Sequence, residues 1–109
     1  MNANVESAAR GFVDRLRARY DVAGALLYGS RARGDADDLS DLDLAVLLGG
    51  PHGNRADAAV DMAGIAFDLM LETGILIDPL PIWLEEWRHP EDFANPGLIE
   101  TIQRDGIPV

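Results

Sequence analysis

A chain of 109 residues without low-complexity runs has enough material for one modest core, so a single domain over 1–109 is expected. Its net charge of −10 opposes a nonspecific grip on DNA or RNA, and its cations are all arginine, which excludes Schiff-base chemistry and the phosphate-loop lysine of common ATPases. The lack of cysteine removes disulfides and thiolate metal sites, and nothing resembles a signal peptide or a membrane span, so a cytoplasmic protein is expected.

Asn4 is a candidate cap for a first helix over 4–20, with Val5, Phe12, Val13 and Leu16 on one side and Arg10, Arg15, Arg17 and Arg19 on a solvated face. A strand over 22–28 follows, in which Gly24 weakens the pattern or marks a bulge. It feeds Gly29-Ser30, after which Arg31 to Arg33 reads as a short helical turn. Ser30 is a good N-cap, and glycine beside a helix N-terminus makes an anion site where backbone N–H groups, a hydroxyl and Arg31 or Arg33 can meet a phosphate. The acidic turn of Asp35, Asp37 and Asp38 lacks the spacing of a calcium loop and reads as solvated.

The next strand, over 41–48, carries the contradiction on which the chemistry turns. Asp41 and Asp43 share one face by alternation, while Leu42, Leu44 and Val46 take the buried one. Aspartate is depleted from strands, and two like charges on one face repel. Such a pair becomes favourable around a divalent cation, and Mg²⁺ characteristically takes one or two carboxylates plus phosphate oxygens. Phosphate cradle and carboxylate pair thus lie one short loop apart.

Gly49-Gly50-Pro51-His52-Gly53 breaks the chain before a helix over 54–73, capped by Asn54 and closed by Gly74. Ala56, Val60, Ala63, Phe67 and Met70 or Leu71 recur at helical spacing and predict the face that packs across the sheet. Gly64 offers a point of close approach, and the methionines read as core filler. A third strand over 75–82 contains Pro79 and Pro81, which confine its later half to a sheet edge or break the pairing. Residues 83–87 form a short helical segment; one of its tryptophans, Trp83 and Trp87, is expected in the core and the other is open to a partner. Asn95 and Pro96 open a last helix through 104, Gly106 stops it, and 107–109 are a tail. His52 and His89 read as surface loop residues. The class is α+β, a small mixed sheet with packed helices.

The run Gly29-Ser30, ten residues, then Asp41-Leu42-Asp43-Leu44 resembles the signature of the DNA polymerase beta-like nucleotidyltransferase superfamily. The fuller pattern over 28–48 is similar to its minimal bacterial branch, the minimal nucleotidyltransferase (MNT) domains, commonly antitoxin partners of HEPN-domain toxins. The resemblance implies a nucleotidyltransferase fold and Mg-dependent transfer from ATP. In that picture two Mg²⁺ ions sit on Asp41, Asp43 and Asp78, and the phosphates lie against Gly29, Ser30 and Arg33. It gives Asp78 the role of a third carboxylate, general base on the attacking hydroxyl; the other reading of Asp78 is a residue that ends the strand before Pro79.

The resemblance further implies a HEPN-type toxin ribonuclease as partner, neutralised by adenylylation of a tyrosine or by complex formation. Two other readings compete with an active adenylyltransferase antitoxin. One is a noncatalytic module of the same fold that blocks its partner sterically. The other is a transferase acting on a small molecule, for which 109 residues leave little room.

Overall fold

In the computed structural model, which describes residues 3–29 and 41–109, helix α1 (Ala3–Leu16) leads into strand β1 (Val22–Leu27) and then β2 (Leu42–Leu48). Helix α2 (Arg55–Thr73), strand β3 (Ile77–Trp83), helix α3 (Leu84–Arg88), a 3₁₀ turn (Pro90–Asp92), helix α4 (Pro96–Asp105) and strand β4 (Ile107–Pro108) follow. The sheet order is β3-β2-β1-β4, with β1 antiparallel to β2 and β4 and with β2 parallel to β3. The expected mixed sheet with packed helices is therefore what forms. No helix among the described residues is long and apolar enough to cross a membrane.

Several boundaries follow from single side chains. Asn54 caps α2 by accepting from the Asp57 amide at 3.0 Å, and Gly74, at φ 76°, returns its N–H to the Met70 carbonyl. Asn95 likewise accepts from the Leu98 amide at 3.3 Å, with Pro96 as first residue of α4. The register of β1 on β2 shifts between Val22 and Gly24, so the glycine does mark a bulge. Helix α1 differs from expectation at both ends: it begins at Ala3, ahead of Asn4, and gives way after Leu16 to turns that run to Tyr20. The tail is also more than a tail, because Ile107 and Pro108 pair with Leu27 and Leu26, and the Val109 amide donates to the Ala25 carbonyl at 3.1 Å.

Helices cover the sheet on both faces. Phe12 and Leu16 of α1 and Met62 and Leu69 of α2 pack on the face carrying Leu42, Leu44, Val46 and Leu48. Ile99 and Ile102 of α4 and Phe93 pack on the face carrying Ala45, Leu47 and Ile82. The central strand β2 is thus buried on both sides beyond its first turn of alternation, which explains its nearly continuous apolar run.

The face of α2 differs from the sequence expectation. Ala58, Met62, Ala66 and Leu69 are buried, whereas Val60, Phe67 and Leu71 are exposed. Both stripes have helical spacing, and the rotation that buries the Met62 stripe also brings the acidic edge of α2 to the α1 region, where Arg15 pairs with Glu72, Arg19 with Asp61 at 2.9 Å, and the Tyr20 hydroxyl donates to Asp61 at 2.6 Å. With the acidic edge toward α1, Val60, Phe67 and Leu71 face outward. A Cβ on Gly64 would meet only open space, so no packing in this structure demands the glycine.

Strand β3 is an edge strand, as its prolines require. Its outer side is closed by Arg55, which donates to the Pro81 carbonyl at 2.8 Å and pairs with Glu86, a buried carboxylate. Glu86 also accepts from the Trp83 amide at 3.1 Å, capping α3, and the Arg55 guanidinium lies 4.7 Å from the Phe93 ring centre. Trp83 is the last residue of β3 and belongs to the core; Trp87 is half-buried against the second core cluster.

Burial pushes the Glu86 carboxyl up, but the bonds from Arg55 and the Trp83 amide, with the charges of Arg55 and His52, outweigh it and hold the group below its usual range. A depressed carboxyl contributes stability that is present above its unfolded pKa and lost as pH falls through the folded one. Glu86→Gln, which leaves Arg55 half-satisfied, is expected to cost about 2–3 kcal/mol at neutral pH. In urea unfolding at several pH values, the gap between the variant and the parent should close on acidification.

Candidate active site

Strands β2 and β3 start at the same end of the sheet, and β1, running the other way, arrives there at its C-terminus. The Leu42 amide donates to the Leu76 carbonyl at 2.9 Å, and the parallel register that follows sets Asp43 directly beside Asp78. Neighbouring strands are about 4.8 Å apart, so two carboxylates in register on one face are forced into proximity. Asp41, exposed, immediately precedes β2, and its charge also reaches Asp43. Asp78 is the second residue of β3, which continues through both prolines to Trp83. It therefore stands at the beginning of the strand, and the reading in which it ends one does not hold.

Asp43 is half-buried on the face it shares with Ala45 and Leu47. Burial first, then the charges of Asp78 and Asp41, push its carboxyl above the usual range. No arginine or histidine among the described residues pairs with Asp41, Asp43 or Asp78. Among the described residues nothing compensates the charge of this cluster.

Gly29 meets this cluster from β1. Its φ is 75°, and a Cβ there would press into Oδ2 of Asp43, well inside van der Waals contact. Both the left-handed backbone and the close approach demand glycine. Gly29→Ala is expected to cost about 1–2 kcal/mol of stability and to displace the Asp43 carboxylate. Any activity that uses Asp43 should fall further than unfolding explains, which assays under fully folded conditions would show.

Tyr28 is a neighbour that the sequence reading did not assign. Its amide donates to the Asp43 carbonyl at 3.1 Å, and burial, followed by the charges of Asp43 and Asp78, pushes its phenol up to about 12. It forms an uncharged wall beside the carboxylates at neutral pH. Its position at the end of the predicted strand, directly before Gly29, was the available signal. Ser30 and Arg33, the other expected phosphate contacts, lie outside the described residues, as do Arg31 and the acidic turn through Asp38.

Among the described residues no three His, Cys, Asp or Glu side chains stand close enough to enclose a metal ion by themselves. Mg²⁺ bound with a nucleotide does not need such a cage, since one or two carboxylates suffice when phosphate oxygens and water complete the octahedron. The donor set fits that mode. A half-buried carboxylate with two like-charged neighbours and no cation paired with it among the described residues gains directly from a divalent ion. By contrast, a hollow of about 810 Å³ between α1 and the end of α2 has Arg15 and Glu72, already paired with each other, as its charged lining. It holds none of this chemistry.

The comparisons with known proteins agree with the geometry. A structural match is a protein of Sulfolobus solfataricus proposed to be a nucleotidyltransferase, whose 1.40 Å crystal structure aligns with a TM-score of 0.52 at 17% identity, covering 99% of this chain and 87% of that one. At that identity the likeness shows the shared fold. No curated protein matches the sequence. The family model described as Nucleotidyltransferase domain matches residues 9–105. A match running from within α1 to the last residue of α4 makes this chain a member of the nucleotidyltransferase domain family.

Proposed function

We propose that this chain is a Mg-dependent adenylyltransferase that acts as an antitoxin, transferring AMP from ATP to a hydroxyl of a HEPN-type toxin ribonuclease and so neutralising it. The nucleotidyl-transfer part follows from the family. The observation that carries the catalytic reading is the register that sets Asp78 beside Asp43 at the end of the sheet where Gly29 arrives. The choice of a protein acceptor rests on the resemblance of residues 28–48 to the MNT branch and on a net charge of −10, which disfavours a polynucleotide acceptor.

In this reading Asp41 and Asp43 hold Mg²⁺, with Asp78 adjoining. A divalent ion held there would supply neutralisation of the charge on the phosphates and on the entering and leaving oxygens. Gly29, with no side chain, leaves the backbone free to approach the phosphates, and Ser30 and Arg33 add a hydroxyl and a guanidinium. Asp78 accepts the proton of the acceptor hydroxyl. The hydroxyl oxygen forms a bond to the α-phosphorus as the bond from that phosphorus to the bridging oxygen breaks, and pyrophosphate leaves with the electron pair. Positioning and electrostatics supply most of the rate in such a transfer.

The test is the intact mass of the HEPN partner after incubation with this protein and Mg-ATP, beside Asp41→Asn and Asp43→Asn controls. A gain of one adenylyl group with the parent alone is the expected result. An unchanged partner mass in a stable complex would instead establish the noncatalytic binding module.

A further inference from the structure

The outward stripe of α2 has no role in the chemistry or the core. Val60, Phe67 and Leu71 are 74%, 53% and 68% exposed, values that place whole apolar side chains in water on a helix with a well-filled buried face of its own. With Ala56 and Ala63 they recur over four helical turns at the spacing by which one helix receives another. This stripe lies on the sheet face opposite the one that Asp43 shares with Ala45 and Leu47. A partner seated on it leaves the carboxylate end of the sheet open.

The charge beside the stripe specifies the occupant. All four acidic residues of α2, Asp57, Asp61, Asp68 and Glu72, project from the same flank. Asp61 and Glu72 are taken by Arg19 and Arg15. Asp57 and Asp68 are exposed and pair with no cation among the described residues; they lie three helical turns, or about 16 Å, apart. The other flank, with Ala59 and Met70, carries one charge, Arg55, which is already held by Glu86 and the Pro81 carbonyl.

A second copy of this chain answers that pattern poorly. In an antiparallel two-fold pairing of α2 with itself the acidic flanks meet, and in a parallel one each faces the flank of Arg55, whose guanidinium Glu86 already holds. Neither supplies an unengaged cation. We infer that α2 is a docking face for a partner protein's amphipathic helix, one with an apolar seam over Val60, Phe67 and Leu71 and two basic residues about three turns apart that meet Asp57 and Asp68. The surface functions whether or not nucleotide is transferred, so it stands or falls separately from the proposed catalysis.

Three synthetic helical peptides of about 20 residues test this without nucleotide. The first carries a leucine seam and two flanking arginines three turns apart; the second replaces those arginines by glutamate; the third keeps the arginines and replaces the seam leucines by serine. In fluorescence anisotropy the first is expected to bind at least tenfold more tightly than either of the others. Phe67→Ser with Leu71→Ser, and separately Asp57→Asn with Asp68→Asn, should each weaken it by a similar factor. These side chains are exposed, so the variants keep the fold, which circular dichroism verifies. Equal binding of the first and third peptides would reduce the effect to general charge attraction and overturn the inference. A parent protein that sediments as a dimer, and a Phe67→Ser variant that sediments as a monomer, would overturn it in favour of a second copy.

Discussion

Asparagine in place of Asp43 is expected to lower nucleotidyl transfer by roughly a thousandfold or more, equivalent to about 4 kcal/mol of barrier. It should do so while making the ligand-free protein no less stable. Asp43 is the carboxylate with most to lose from its surroundings, being half-buried beside Asp78 and within reach of Asp41, with its carboxyl held above the usual range by burial and then by those charges. A carboxyl raised in the folded state contributes stability that is present while it is protonated and lost as pH rises through its folded pKa. The parent should therefore give up stability over that interval, and Asp43→Asn should not.

Mg-ATP reverses the comparison. A ligand at a hundred times its Kd adds about 2.7 kcal/mol, which for a domain of this size is a rise of several degrees in Tm. Asp43→Asn should abolish most of that rise, and a chelator should abolish it in the parent. A parent melting curve indifferent to millimolar Mg-ATP would defeat the nucleotide-binding reading, whatever the partner assay shows.

The parts of the fold that the sequence made legible are those decided locally. Asn54 and Gly74 bracket α2 because a side-chain cap and a left-handed backbone are properties of single residues. Pro79 and Pro81 pointed to an edge or to broken pairing because each lacks an N–H to give to a second neighbour, and the edge is what forms. Asp41 and Asp43 were conspicuous because strands avoid aspartate.

What the sequence left open or misplaced depends on partners distant in the chain. The expected stripe of α2 was the wrong one of two with helical spacing, because the buried one is set by contacts from elsewhere in the chain, among them the pairs from Arg15, Arg19 and Tyr20, some 40 to 60 positions earlier. The last residues gave too short a pattern to read as a strand, and β1 supplies their pairing. Asp78 was equally legible as a turn residue or a site residue. Only the parallel register of β2 on β3, fixed where the Leu42 amide meets the Leu76 carbonyl, places it beside Asp43.

That placement makes Asp78→Asn the sharpest test of catalysis against mere nucleotide binding. If Asp78 accepts the hydroxyl proton, its loss removes a contribution of about 10²–10⁴ in rate while leaving the amide in the same space. Asp41, Asp43 and Gly29 remain, so Mg-ATP should still raise the melting temperature by nearly the parent amount, and KM for ATP should change little while kcat falls. Loss of one of three crowded carboxylates should also raise ligand-free stability slightly, because Asp78 is among the charges that push Asp43 up. Asp43→Asn, in contrast, should lose ligand stabilisation and turnover together. Were Asp78 only a bystander on an exposed strand end, its asparagine variant would turn over like the parent. A variant that lost both ATP stabilisation and turnover would instead make Asp78 part of the metal and nucleotide contact, with the proton taken elsewhere. The split between binding and rate is thus decided by two side chains that the sheet places next to each other.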